Sequence, residues 1–188
     1  MLLLGVIQAQ ALGQAAGSFD LLETQVLSSS AASVTFSGLS TYAADYQHLQ
    51  LRAVVRTDRA SFANDELAMR FNSDSAGNYS WHRLEGTGSS VGSSPSANAT
   101  FVQAGITSAA TAATGNFSAI VTDILDPFET TKNKTTRSLA GFTGGAIQLM
   151  SGNWRNTNAV TTIALTPLLG TNFVTGSRFS LYGIKAGA

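Results

Sequence analysis

The sequence predicts an all-β protein with the architecture of an antiparallel β-sandwich or jelly roll. An alternating apolar/polar run of five to twelve residues is followed by a cluster of Gly, Ser, Asn or Asp, and this pattern recurs about ten times between Phe19 and Lys185. No stretch of comparable length carries the 3.6-residue period of a helix. Short strands at this spacing, separated by turn residues, are typical of sandwiches and jelly rolls.

The strands follow from the alternation, element by element. In the longest run, Leu49, Leu51, Ala53 and Val55 share one face, as the two-residue period of a strand requires. The predicted strands are 20–27, 33–38, 46–57, 66–72, 79–85, 100–106, 117–125, 134–142, 146–153, 160–167 and 178–184. The apolar faces of these runs predict a core of Phe36, Leu49, Leu51, Val55, Phe71, Phe117, Val121, Leu149, Leu165, Phe179 and Leu181.

Turn residues separate these strands. The Thr143-Gly144-Gly145 sequence predicts a hairpin between two strands. Residues 86–99 are rich in Gly and Ser, and we expect them to form the longest surface loop. Residues 104–115 are low in complexity and are a candidate for a second loop tip.

Composition narrows the classes of function. The chain has 188 residues, enough for one domain with a real core. Eleven basic and eleven acidic residues cancel, so there is no electrostatic reason to expect a nucleic-acid or membrane partner. Charged residues make up 12% of the chain, about half the usual ~25%, and there is no cysteine. Such a surface suits a protein whose faces are covered by neighbours, or one that must resist harsh conditions.

The N-terminal 17 residues are predicted to be an extended arm that precedes a single sandwich domain at 18–188. They contain no charged side chain, and their first seven positions include Leu2, Leu3, Leu4, Val6 and Ile7. The apolar run is too short for a membrane span, and no basic residue precedes it as in a secretory signal. Two hypotheses stay open: an arm that docks on a neighbouring subunit through these five aliphatics, or the first strand of the sandwich.

One polar loop has part of a calcium-binding pattern. Asn72, Asp74 and Gly77 occupy the first, third and sixth positions of a calcium-loop spacing. The twelfth position, which requires a bidentate carboxylate, is Arg83. We therefore predict an ordinary loop and no metal site.

Two further groups resemble catalytic arrangements without completing one. His82 lies near Glu85, but in a strand the two side chains point to opposite faces. Asp123 and Asp126 are a candidate carboxylate pair, but Asp126 precedes a proline and is expected to cap a turn. We therefore predict no catalytic residue and no cofactor, and a protein that is not an enzyme.

Several segments resemble small virion structural proteins of tailed bacteriophages, either decoration (cement) proteins or tail-associated ones. The resemblance covers residues 19–185. Its segments are FDLLETQVL at 19–27, ASVTFSGL at 32–39, YQHLQLR at 46–52, RFNSD at 70–74, NYSWHRL at 78–84, SGNWRNT at 151–157, VTTIALTP at 160–167 and FSLYGIK at 179–185.

The resemblance implies a structural protein on the surface of a virus particle. The favoured role is a capsid decoration protein, a homotrimer that clamps neighbouring major capsid proteins. The alternative is a tail-tip or fibre-associated module that contacts host glycans through exposed aromatics such as Trp81 or Trp154. A second class, a glycan-active enzyme on a jelly-roll scaffold, would need an aligned pair of carboxylates, and the sequence shows none.

Overall fold

The computed structural model describes residues 18–185 and is built almost entirely of β-strands. Its elements are β1 (Phe19–Val26), β2 (Val34–Phe36), a short 3-10 helix (Leu39–Tyr42), β3 (His48–Val55), β4 (Asn64–Phe71), β5 (Tyr79–Gly86), β6 (Val91–Ala99), β7 (Val102–Ser108), β8 (Ser118–Leu125), β9 (Lys134–Phe142), β10 (Ala146–Trp154), β11 (Ile163–Pro167) and β12 (Arg178–Ile184). The described residues contain no α-helix. The all-β prediction is confirmed.

The strands form two antiparallel sheets with jelly-roll connectivity. The large sheet has the order β1-β12-β3-β8-β9-β10-β5-β6, and the small sheet has the order β2-β11-β4-β7. Four strands of the large sheet, β1-β12-β3-β8, face the small sheet as the two halves of a jelly roll. The hairpins β5–β6 and β9–β10 are insertions, and they extend the large sheet beyond β8.

The core lies between the two sheets and contains most of the aliphatics and aromatics predicted for it. Eight of the predicted core residues are buried: Phe36, Leu49, Leu51, Val55, Phe71, Leu165, Phe179 and Leu181. An aromatic group at one end joins Phe71, Tyr79 and Trp154, with ring centroids 5.6–6.4 Å apart. The Tyr79 hydroxyl accepts a hydrogen bond from the Phe71 amide at 3.0 Å, so this group is also fixed in register.

Strand β7 runs very close to the inserted hairpin and is buried along its whole length. A Cβ on Gly105 would lie 2.4 Å from the Ala140 Cβ, and one on Gly152 would lie 2.5 Å from a Val102 methyl. The backbones can approach this closely only because these positions are glycine. No side chain therefore fits at Gly105 or at Gly152, where β7 meets β9 and β10.

Three sequence predictions about these elements are corrected. Val121 and Leu149 are 36% and 52% exposed, and Phe117 is only half-buried, so these three do not belong to the core. Residues 91–99 are not loop: they form β6, an edge strand paired only with β5. The predicted tip at 104–115 is a strand up to Ser108 and a loop only after it. The predicted arm, residues 1–17, lies outside the described residues.

Candidate interaction surface

The outer face of the large sheet, which points away from the core, carries a row of exposed aliphatic side chains. We call this set the apolar stripe. Each member is between 36% and 80% exposed, and the members are Val54, Leu84, Val91, Val121, Leu139, Ile147 and Leu149. They come from six neighbouring strands, β3, β8, β9, β10, β5 and β6. Contiguous exposed apolar side chains of this kind mark interaction sites on soluble proteins.

Strand register brings the stripe together in two parallel rows. In the first row Val121 pairs with Leu139, Leu139 with Leu149, and Leu149 with Leu84. In the second row the sheet carries only apolar residues and glycine, in the order Val54, Ala119, Gly141, Ile147, Gly86 and Val91. Neither row contains a charged side chain along these positions, so the stripe is continuous across the strands.

The stripe is a shallow groove rather than a flat face. A depression of about 580 Å³ lies over β5, β6 and β10 between His82, Pro95 and Leu149. Two further depressions lie beside it, and Leu149 lines all three. Val121 continues the groove toward β3 and β1. An extended segment or a protein ridge could therefore lie across the strands.

A polar row borders the stripe on one side. Asp123 on β8 accepts a hydrogen bond from Arg137 at 2.9 Å and one from the Gln50 amide at 2.7 Å. Arg52, which pairs with Val121 at the β3 end of the first row, lies 4.9 Å from the ring centroids of Phe19 and Tyr182. An apolar centre with a polar rim is the usual organisation of a protein–protein interface.

The inner face of the same strands explains why the aliphatics point outward. Opposite β7, the inner face carries small and polar side chains beside Ile120 and Met150, and the buried polar ones include Ser118, Thr122, Thr136, Ser138 and Gln148. Two pairs of these hydroxyls are hydrogen-bonded, with Ser118 bound to Ser108 and Thr122 to Ser138. Around β9 and β10, buried polar side chains therefore lie on the inner face beside Ala140, Phe142, Met150 and Trp154, while Leu139, Ile147 and Leu149 lie on the outer face. Filling the core does not account for the outward leucines.

The two tryptophans predicted as surface contacts are not arranged as a glycan platform. Trp154 is 1% exposed, and its indole N–H donates to Asp74 at 2.7 Å, so the prediction of a surface contact is wrong for this residue. Trp81 is half-buried and faces inward with Arg83. Alternation placed Trp81 correctly opposite His82, but Trp154 ends β10 on the core side. The arm residues Leu2, Leu3, Leu4, Val6 and Ile7 lie outside the described residues.

The structure also brings together two carboxylates that the sequence did not connect. Gln148 donates from its side-chain amide to Glu66 at 3.2 Å and to Glu85 at 2.5 Å. Arg83 forms an ion pair with Glu66 at 3.1 Å. These residues come from β4, β5 and β10, so only the tertiary fold makes them neighbours. Position 148 carries no signal of its own in the sequence.

This polar cluster binds strands together at the inner face of the extension. Burial raises the pKa of Glu66, while hydrogen bonds from Gln103 and Gln148 and the charge of Arg83 oppose that shift. The Gln148 carbonyl oxygen and the Trp81 indole nitrogen have no hydrogen-bond partner among the described residues. The Gln148 amide contacts both carboxylates, and the Arg83 guanidinium contacts Glu66.

The other candidate polar residues are tied to structural partners. Asp74 accepts hydrogen bonds from Ala76, Asn78 and Trp154, which lower its pKa and brace the loop against the core. Asp126 pairs with Lys132 at 2.5 Å, and that hydrogen bond is the main cause of its lowered pKa. His82 is exposed beside the stripe.

Comparison with protein families and curated proteins found no match to this chain. No protein-family model matches the chain, and no curated protein matches it significantly. Within residues 18–185, no helix has the length and apolar character to cross a membrane. In the same range, no three side chains of His, Cys, Asp or Glu are grouped as a metal site would require.

Proposed function

We propose that this protein is a virion structural protein of a tailed bacteriophage, a non-enzymatic decoration protein that binds neighbouring proteins of the particle through its apolar stripe. The observation that carries the proposal is the stripe itself. Seven large aliphatics lie outside the core on one continuous face, at 36–80% exposure. Burial of such a surface is the main driving force of protein association.

The shape of the face suits a clamp. The stripe crosses six strands of one sheet, which hold its side chains at fixed spacing. A rigid, preorganised face loses little conformational freedom on binding. Low charge and uncharged polar residues over the rest of the surface fit a molecule surrounded by other subunits.

The proposed partners are major capsid proteins and further copies of the chain, in a homotrimer at the particle surface. A tail-tip or fibre-associated location is the alternative. The two locations differ in copy number, because a shell presents hundreds of equivalent positions and a tail presents a few to a few dozen.

The test measures the protein in purified particles of the virus that encodes it. Gel densitometry against the major capsid protein is expected to give hundreds of copies per particle. A count of a few dozen copies would indicate the alternative location in the tail. Absence of the protein from purified particles would overturn the proposal.

A matched pair of variants tests the stripe. Particles lacking the protein are incubated with the wild type, with the Leu139→Asp/Leu149→Asp variant, or with a Thr35→Asp control. Thr35 is exposed on β2 of the small sheet, away from the stripe. Binding of the stripe variant is expected to fall at least tenfold, while the control binds like the wild type. Equal binding of all three would show that attachment does not use this face.

A further inference from the structure

We propose that the apolar stripe is the receptor for residues 1–17 of a neighbouring copy of this chain, so that copies are linked by exchanged N-terminal segments. The inference rests on the proposed function in one respect, since both require the stripe to be an assembly surface. It differs from that function in naming a neighbouring copy, and not a major capsid protein, as what covers the stripe.

The chemistry of the two surfaces matches. Residues 1–17 contain no charged side chain and carry Leu2, Leu3, Leu4, Val6 and Ile7 close together. The stripe likewise presents aliphatic side chains, with glycine and alanine between them; its rows carry no charge from β8 to β5, and Arg52 stands at the β3 end of the first row. Each surface is costly to leave in water, and each can cover the other.

The dimensions match as well. Six adjacent strands at about 4.8 Å spacing make the stripe roughly 24 Å across. The six residues 2–7 span roughly 20 Å when extended, at about 3.3 Å per residue. One extended segment can therefore lie along the groove from β3 to β6 and place alternate side chains between the leucines of the stripe.

The direction of β1 favours a neighbouring copy over the same chain. Phe19, at the start of β1, pairs with Ile184, and Ile184 pairs with His48 at one end of β3. The stripe begins at Val54, six residues along β3 and roughly 20 Å away. The strand runs from Phe19 toward the level of the stripe, so the backbone preceding Phe19 is directed away from it. A neighbour lying beyond that end of the sheet is reached without a reversal of the chain.

The absence of cysteine from the sequence allows a clean crosslinking test. Gly5→Cys places a thiol in the N-terminal segment without removing an aliphatic side chain. Ala119→Cys places one in the second row of the stripe, where Ala119 is exposed between Val54 and Gly141. The two full-length variants, one with a size tag, are co-expressed and oxidised, and the tagged–untagged disulfide is measured on a non-reducing gel. Thr35→Cys, on the other sheet, replaces Ala119→Cys as the matched control.

The expected result is a mixed disulfide with Ala119→Cys at a yield at least tenfold above that with Thr35→Cys. Adding Leu3→Asp and Ile7→Asp to the Gly5→Cys chain is expected to abolish the excess. In a chain carrying both Gly5→Cys and Ala119→Cys, the crosslink is expected between chains.

Three outcomes would overturn the inference: equal yields at positions 119 and 35, no crosslink at all, or a crosslink in the double variant that forms only within one chain. The particle measurements separate this inference from the proposed function. If the protein binds particles through the stripe but forms no crosslink, only the inference of an exchanged N-terminal segment is contradicted. If the protein crosslinks but is absent from purified particles, only the proposed virion function is contradicted.

Discussion

At the scale of single residues, Glu66 shows how burial controls protonation in this fold. Its carboxylate lies between Arg83 and Gln148 at the inner face of the extension, and burial raises its pKa above the ordinary value of 4.5. The folded state therefore favours the protonated acid. The stabilising contribution of Glu66 is fully present below its ordinary pKa and is lost as pH rises through the raised value.

We predict that Glu66→Gln changes the pH dependence of stability in a defined direction. The variant cannot ionise, so its free energy of unfolding should improve relative to the wild type as pH rises from about 4 to about 8. Chemical denaturation at both pH values measures the difference. Glu129→Gln, which makes the same change at an exposed loop carboxylate, is the control. A flat difference for Glu66→Gln would mean that Glu66 titrates as it does in the unfolded chain.

At the scale of the element, the close approach of β7 to the β9–β10 hairpin decides which side chains the extension can carry. Gly152 has no room for a Cβ, since Val102 and Thr136 lie 2.5 Å from where it would stand. Gly141, on the outer side of β9, has no atom within 4 Å of the same position. The two glycines therefore have opposite roles in neighbouring strands of one hairpin.

We predict that Gly152→Ala is destabilising and that Gly141→Ala is not. Gly152→Ala should lower the free energy of unfolding by roughly 1–3 kcal/mol, because β7 must move away from β10. Gly141→Ala should be neutral or stabilise by a few tenths of a kcal/mol, because glycine weakens a strand through its conformational entropy. Thermal unfolding of both variants provides the measurement. Similar thermal midpoints for the two variants would show that β7 can move away from β10 without a loss of stability.

At the scale of the whole molecule, the jelly roll encloses a complete core and still leaves aliphatic side chains on its outer face. The inserted hairpins extend the large sheet beyond β8; β7 packs on the inner face of β9 and β10, and the outer face has no layer over it within residues 18–185. Association through this face is the route to covering it. The proposed trimer is therefore a property of the extended sheet and not of the jelly-roll core.

We predict that the purified full-length chain is a trimer at micromolar concentration, because a closed symmetric assembly would cover every copy's stripe. Light scattering should give three times the mass of one chain. Leu139→Asp/Leu149→Asp should give a single chain with unchanged circular dichroism, since both side chains lie outside the core. A wild-type monomer, or a trimer that persists in the variant, would contradict this prediction.

Alternation and turn chemistry alone determined much of the fold. Each of the eleven predicted runs overlaps a strand of the structure, and the Gly144-Gly145 hairpin joins β9 to β10 as expected. β3 has one apolar face and one mixed face, so only the apolar face can be the buried one. Leu49, Leu51 and Val55 lie on that face and are buried.

The tertiary structure decided the points where local pattern is ambiguous. β8 and β10 carry aliphatics on their outer faces, and only the approach of β7 determines that Val121 and Leu149 point outward. β6 is poor in strand-forming residues and is a strand because β5 pairs with it. Glu66 and Glu85 come together because Gln148 on β10 donates a hydrogen bond to each of them, an arrangement that spacing along the chain does not encode. Sequence period specifies that side chains alternate, but which face is buried depends on the element packed against it.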